Sequence, residues 1–322
     1  MLSGLLCWLG FILVFWLFFL LDLYVLYSAL FCYWARVVVA AYALWYWIDR
    51  HTPSDGIGRT SATLKRVLQP CFDRARAYFS IEAVIDGEIE CLLEERDAPV
   101  LVGTHPHGIF ALGTLATFAL APAALRLGKT TRVEAIMTID QHFIIPLWRE
   151  FVIALGFASV SSGSIQKRLK RNSSVAVVVG GARESLLTRP GRIELLLESR
   201  RGFFRLALQN GCWLLPCLIV GESELYEQVS VTVVRSIQCR LLEWLGFTIP
   251  LFYGARVNGN CFAGVPFLTG PRKLTAVFGR PVPCERVERP VEADIRRVRD
   301  LYAKELRRLN ELHGEGLVLS IH

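Results

Sequence analysis

Apolar residues fill the first fifty positions almost without interruption, and beyond them they fall into short runs separated by polar stretches. Residues 4–48 hold only Asp22 and Arg36 as charged groups, and Asp49-Arg50-His51 closes the stretch. About 18 consecutive apolar residues suffice to cross a bilayer, and this run is more than twice that. It predicts a tight hairpin of two helices, transmembrane or re-entrant, or one long helix continuing along the lipid interface. A cleaved secretory signal fits poorly, because no basic residue precedes the apolar core and the core is too long. Asp22 and Arg36 are both candidates for the bend, since an ionised group at mid-bilayer is costly. Arg50, Arg59, Lys65, Arg66, Arg74 and Arg76 follow the apolar run, so the positive-inside tendency directs the main domain towards the cytosol.

Past the turn-rich break Thr52–Thr60, the span Ser61–Val84 mixes apolar residues with arginines. It predicts a helix lying on the membrane surface or one packed on the domain. Apolar runs then alternate with helical patterns. Ala98–Val102, Val133–Ile139, Ala158–Val160, Val175–Val179, Trp213–Val220 and Lys273–Phe278 read as strands. Ile109–Leu120, Phe143–Ala154, Ser164–Arg171 and Phe203–Asn210 read as helices, the last stopped by Gly211. From Val287 to Leu309 the apolar positions step by three and four, an amphipathic helix. Strands alternating with helices predict an α/β fold whose mainly parallel sheet is flanked by helices. The corresponding units are a membrane anchor (1–50), an interfacial helix and linker (51–97), an α/β domain (98–285), and a C-terminal amphipathic helix with tail (286–322).

The 322 residues are ample for a sizeable core. The net charge of +7 fits a solvated surface rich in arginine, or attraction to anionic headgroups or a phosphate-bearing ligand. No basic and aromatic pattern of an RNA-binding module is present. The nine cysteines form no C-x-x-C pair, and two lie inside the apolar anchor. They read as scattered thiols in a reducing compartment.

If the sheet is parallel, the polar residues just past its strand ends share one edge, where ligands and chemistry collect in open α/β sheets. These are His105, His107, Asp140, Glu184 and Glu222. Two imidazoles with carboxylates suit a general base and an orienting acid, and the imidazole pKa of ~6.5 lies close to cytosolic pH. Pro106 stiffens the turn between the histidines. Gly108 lets an acyl group approach the backbone, where the first amides of the next helix face a developing oxyanion. His105 reads equally as a structural residue and as a chemical one, whereas Glu184, taken by itself, reads more readily as a solvated first-turn acid. No cysteine motif completes a zinc site, no Walker loop or dinucleotide fingerprint is present, and there is no G-x-S-x-G elbow. Neither a bound metal nor a bound cofactor is expected.

The blocks TPSDGIGRTS (52–61), AYFS (77–80), THPHGIFALG (104–113), PLWRE (146–150), VVVGGARESL (177–186), RRGFFRLALQNGCWLLPCLIVGESELYEQ (200–228) and LTAVFGRPV (274–282) resemble the type-2 diacylglycerol acyltransferase family. That family includes monoacylglycerol and wax-alcohol acyltransferases. The resemblance implies a glycerolipid-acyltransferase-like fold and an acyl-CoA-dependent O-acyltransferase making triacylglycerol from diacylglycerol. Monoacylglycerol or a long-chain alcohol is the alternative acceptor, and a non-catalytic membrane lipid-binding or scaffold protein is the alternative of another class. It further implies an endoplasmic-reticulum membrane setting with access to lipid droplets and acyl-CoA as co-substrate; monomer and homo-oligomer both stay open. On this chain the base falls on His107, with His105 as its support, Glu184 as carboxylate partner and Gly108 at the oxyanion turn. Arg200, Arg201, Gly202, Phe203, Pro216 and Glu222 fall in the block associated with glycerolipid binding, and Arg205 joins Arg200 and Arg201 as a candidate contact for CoA phosphates. Two departures stand out. Ser80 replaces the proline of the usual YFP, and Gln141-His142-Phe143 replaces Gly-Asn-Phe, with Asp140 before it as a rival acid.

Overall fold

The computed structural model describes residues 2–85, 87–94, 98–119, 133–229, 231–246, 250–257, 260–266 and 268–322. Three helices open the chain: α1 (Leu2–Phe31), α2 (Tyr33–Asp49) and α3 (Ala62–Tyr78). Strand β1 (Glu82–Val84) and helix α4 (Gly87–Glu94) lead to β2 (Val100–His105) and α5 (Leu112–Thr114), which runs on as a π turn over Leu115–Ala119. Then come β3 (Val133–Thr138), α6 (Pro146–Leu155), β4 (Phe157–Ser159), α7 (Ser162–Leu169), β5 (Ser174–Val178), α8 (Gly181–Ser185), β6 (Arg192–Leu195), α9 (Arg201–Asn210) and β7 (Trp213–Val220). The chain closes with β8 (Tyr226–Gln228), α10 (Thr232–Leu245), β9 (Phe252–Gly254), β10 (Thr275–Phe278), α11 (Glu292–His313) and β11 (Val318–Ile321).

Seven strands form one sheet in the order β1-β10-β7-β2-β5-β3-β4. From β7 to β4 every neighbour is parallel, and β10 runs antiparallel to β7. The mainly parallel α/β sheet expected from the alternation is therefore present. Strand β2 lies at its centre and is buried along its whole length, as a strand covered on both faces must be. Alternation along β2 sorts its side chains. Leu101 joins the core under α9 and α11, while Val100 and Val102 join the opposite core with Phe72, Tyr78 and Leu112.

The apolar N-terminus is a hairpin. Cys32, in extended conformation, separates α1 from α2, so the bend falls on neither Asp22 nor Arg36. Both arms dock on α6. The Asp22 carboxylate accepts from the Leu147 amide at 3.4 Å, and the Tyr42 hydroxyl donates to the Pro146 carbonyl at 2.9 Å. The fully buried Arg149 then ties α6 to the end of α2, donating to Asp49 Oδ2 at 2.7 Å and to the Asp49 carbonyl at 2.6 Å. Within α1, Leu13–Phe31 is long and apolar enough to cross a membrane by length and composition.

Two further expectations change. The span 61–84 is not one helix: α3 ends at Tyr78 and β1 follows. Its buried face, Phe72, Ala75 and Tyr78, packs into the domain, and the Tyr78 hydroxyl donates to the Thr269 carbonyl at 2.9 Å. Ser80 takes φ +44°, which the pyrrolidine ring of a proline forbids, so the YFS departure matches the local backbone. The helix expected from Ile109 starts only at Leu112, because Gly108 and Ala111 adopt left-handed conformations (φ +61° and +52°) and use those residues as a turn.

Candidate active site

His105 ends β2 on the face shared by Leu101 and Gly103, and its ring is fully buried. Its Nε2 lies 3.0 Å from the Tyr302 hydroxyl of α11, and that hydroxyl donates to the Gly103 carbonyl at 3.1 Å. The hydroxyl proton is thus committed, so Nε2–H donates to Oη, while Nδ1 has no partner among the described residues. Burial pushes the imidazole down to about 3, so it stays neutral. Gly103 is the residue that allows this close approach: a Cβ there would stand 2.1 Å from the Tyr302 hydroxyl. Tyr302 had been legible only as a core position of the amphipathic helix. The one signal was its phenol, which needs a polar partner when buried.

His107 is two residues on, beyond the cis His105–Pro106 peptide, and is half-buried. Its Nδ1 lies 3.0 Å from the Gly108 carbonyl. A carbonyl only accepts, so Nδ1 carries the proton and the neutral ring presents the lone pair of Nε2. Burial lowers its pKa most, and the Arg200 guanidinium lowers it further, against the hydrogen bond to Gly108.

Glu184 is buried in α8, but it meets the histidine by the backbone. Oε1 accepts from the His107 amide at 2.8 Å and Oε2 from the Leu196 amide at 3.2 Å. The carboxylate expected to orient the imidazole therefore fixes the turn that carries it. Two glycines precede it for a steric reason: a Cβ on Gly180 would fall 2.0 Å from Glu184 Oε2, and Gly181 has φ +60°. Burial raises the Glu184 pKa to about 7, opposed by the two amides and by Arg200.

Glu222, past the end of β7, is equally buried and grips the other end of the turn. Its oxygens accept from the Leu112 amide at 3.0 Å and the Gly113 amide at 2.7 Å. Burial raises its pKa to about 7 as well. Those are the first amides of α5, so the donors expected to face an oxyanion are already occupied. A Cβ on Gly108 would lie 2.3 Å from Glu222 Oε1, so the carboxyl group packs directly against the turn. Asp140 stands apart: it is exposed on a 3-10 turn after β3, and no bond from it to either histidine occurs among the described residues. His142 next to it faces the hairpin side, accepting from Trp148 Nε1 at 3.0 Å.

The block 200–228 divides in the structure. Arg200 lies at the site, bonded to the Gly180 carbonyl and electrostatically coupled to Glu184. Arg201, Gly202 and Arg205 are exposed on α9, with Arg201 3.5 Å from Glu292. Phe203 and Pro216 are core residues, Phe203 against Tyr302 and Pro216 paired with Gly103 across the sheet. Beside the turn, Phe110 stacks edge-on with Phe252 and Tyr226 and is partly exposed, giving the site an aromatic flank.

The diacylglycerol acyltransferase family model matches residues 28–320. Human 2-acylglycerol O-acyltransferase 1 is 30% identical over 279 residues, 84% of this chain and 80% of that protein. Diacylglycerol O-acyltransferase 1 of Saccharomyces cerevisiae is 35% identical over 237 residues, 72% of this chain and 56% of its own length. Human diacylglycerol O-acyltransferase 2-like protein 6 is 30% identical over 87% of this chain and 82% of that one. With its histidine turn and both clamping glutamates inside the span 28–320 that the family model matches, the chain belongs to the diacylglycerol acyltransferase family.

Proposed function

We propose that this acyltransferase moves a fatty acyl group from acyl-CoA to the free hydroxyl of diacylglycerol, with His107 as general base and no acyl-enzyme. The observation that carries this reading is the His107 ring itself, its Nδ1 committed to the Gly108 carbonyl and Nε2 left as a lone pair at a half-buried turn. Nε2 takes the acceptor's hydroxyl proton as that oxygen attacks the thioester carbonyl. The tetrahedral oxyanion falls to the amides of the turn around Gly108, since those of Leu112 and Gly113 serve Glu222. Collapse breaks the C–S bond, and the CoA thiolate receives the proton from the imidazolium. A thiol of pKa ~8.5 leaves readily, so the chemistry needs no activating group beyond the base. Arg200 supplies positive charge beside the ring, and His105 positions the turn from below through Tyr302.

The apolar hairpin supports a membrane setting, and with the basic residues behind it the domain lies on the cytosolic side of the endoplasmic reticulum, with access to lipid droplets. Monoacylglycerol is the second acceptor to test, favoured by the likeness to a 2-acylglycerol O-acyltransferase. Microsomes from cells expressing the protein, given labelled oleoyl-CoA with diacylglycerol, monoacylglycerol or a long-chain alcohol, identify the acceptor. His107→Ala protein present at normal levels is expected to lose at least 100-fold in rate. Full triacylglycerol synthesis by that variant would refute the role given to His107.

A further inference from the structure

Helix α10 meets the rest of the domain by a narrow face. Among its described side chains Gln238 is the buried one, and Arg235 reaches in to donate to Gln228 at 3.4 Å. Outward it presents Val233, Ile237 and Trp244, and Trp244, 82% exposed, is the most exposed large apolar side chain among the described residues. At 100° per residue these three fall within an arc of about 40°, a straight stripe about 16 Å long. Arg240 borders the stripe, and Ser236 and Glu243 hold the polar flank beyond it.

The C-terminal end of α10 lies near the foot of the hairpin. Gly246, which caps α10, lies against Gln141, a Cβ there being 3.4 Å from Gln141 Nε2. Ile144, three residues on, is exposed, and the Tyr46 hydroxyl of α2 donates to the Phe143 carbonyl at 3.3 Å.

We propose that α10 is a second lipid-contact element, lying stripe-down in the headgroup boundary of the leaflet the hairpin enters. This rests on the membrane reading of the hairpin. Lipid is the occupant because α10 ends near the foot of the apolar hairpin, because an indole at a stripe's end suits the boundary layer, and because Arg240 stands where phosphates would be. The contact also reaches the site. The Gln228 amide that receives Arg235 donates in turn to the Ser185 and Thr188 carbonyls at 2.6 and 3.0 Å, next to the Glu184 that holds the His107 amide. Seating α10 in lipid thereby steadies the wall of the site on the side from which an insoluble acceptor arrives.

The test uses the full-length protein in phosphatidylcholine–phosphatidylserine vesicles, with a fluorescent amino acid placed singly at Ile237, at Trp244, at Leu30 of the hairpin, or at the exposed Arg307 of α11. Doxyl-labelled lipid is the quencher. Probes at 237 and 244 are expected to be quenched at least about twofold more than the probe at 307. Quenching at 30 with none above the 307 level at 237 and 244 overturns the α10 proposal and leaves the hairpin reading standing; no quenching at 30 overturns both. Sedimentation of the detergent-solubilised triple variant Val233→Ser, Ile237→Ser, Trp244→Ser guards against a protein occupant. A change from dimer to monomer, with unquenched probes, makes the stripe an interface between copies and refutes lipid contact.

Discussion

Replacing Tyr302 by phenylalanine removes one oxygen atom from the middle of the protein and tests how the histidine turn is held. The ring packs against Phe203 and Phe204 at centroid distances of 5.8 and 5.6 Å, contacts that phenylalanine keeps. What disappears is the 3.0 Å bond from His105 Nε2–H and the 3.1 Å bond to the Gly103 carbonyl. His105 Nδ1 has no partner already, so the variant leaves the buried imidazole with none. An orphaned buried donor costs about 1–3 kcal/mol, and a carbonyl with a second lone pair sits at the low end of that range. The sum is about 2–4 kcal/mol. Because the loosened ring lies two residues before His107, kcat is expected to fall about tenfold, with KM for acyl-CoA unchanged. Denaturant unfolding of the detergent-solubilised protein gives the first quantity, and the oleoyl-CoA assay gives the second. A cycle with His105→Phe gives the coupling between the two residues, expected at 1 kcal/mol or more. Full stability and full activity in Tyr302→Phe, or additivity in the cycle, would show that the hydroxyl does not hold His105.

Other expectations follow from the two glutamate clamps and the hairpin. Gly108→Ala puts a Cβ 2.3 Å from Glu222 Oε1 at φ +61°; strain of about 2–4 kcal/mol at the turn should abolish measurable acyl transfer before it unfolds the domain, as seen by comparing rate with thermal unfolding. Glu184 and Glu222 titrate near 7 in the fold against 4.5 outside it. The fold favours their neutral forms, so their contribution is complete below about pH 4.5 and is lost as pH rises through 7, by up to about 3 kcal/mol each. Thermal unfolding from pH 5 to 8.5 should show this decline, and Glu222→Gln should make it shallower. Arg149→Met takes the buried guanidinium from Asp49 at the foot of the hairpin, leaving that carboxylate to Arg59 and Thr52; a loss of about 1.5–3 kcal/mol there should expose residues 51–60 to limited proteolysis. Asp140→Asn should retain activity within about twofold, whereas Glu184→Gln, which replaces an acceptor by a donor against the His107 amide, should not.

Periodicity made the sheet legible because its strands are buried on both faces. Trp213–Val220 coincides with β7, and Val175–Val179 is displaced from β5 by one residue. The stepping of Ile295, Val298, Tyr302, Leu306 and Leu309 located the buried face of α11. Boundaries failed where backbone conformation rather than side-chain pattern decides them: nothing apolar or polar about Ile109–Ala111 tells that Ala111 takes a left-handed φ. The gathering of His105, His107, Glu184 and Glu222 at one edge followed from the parallel order of β2, β5 and β7. Asp140 belongs to that edge by topology but turns to solvent. What the chain could not reveal is which atom each glutamate meets. A buried carboxylate satisfies itself with the nearest amides, and these belong to turns whose geometry is set by Gly108, Gly180 and Gly181. The tie between Arg149 and Asp49 was hidden for a related reason, since a charged residue in an amphipathic helix reads as solvated until its partner a hundred residues away is placed beside it.

The docking of both hairpin arms on α6 sets a limit on depth. Asp22 and Tyr42 each stand ten residues from Cys32 and are fastened at Leu147 and Pro146. The free loop of helix beyond them is therefore about 15 Å tall, half of a hydrocarbon layer about 30 Å thick. Were the membrane surface level with α6, a wedge of that height would end at the midplane. It would return both chain directions to the side from which it entered, and a single sheet of lipid would accommodate it as well as a double one.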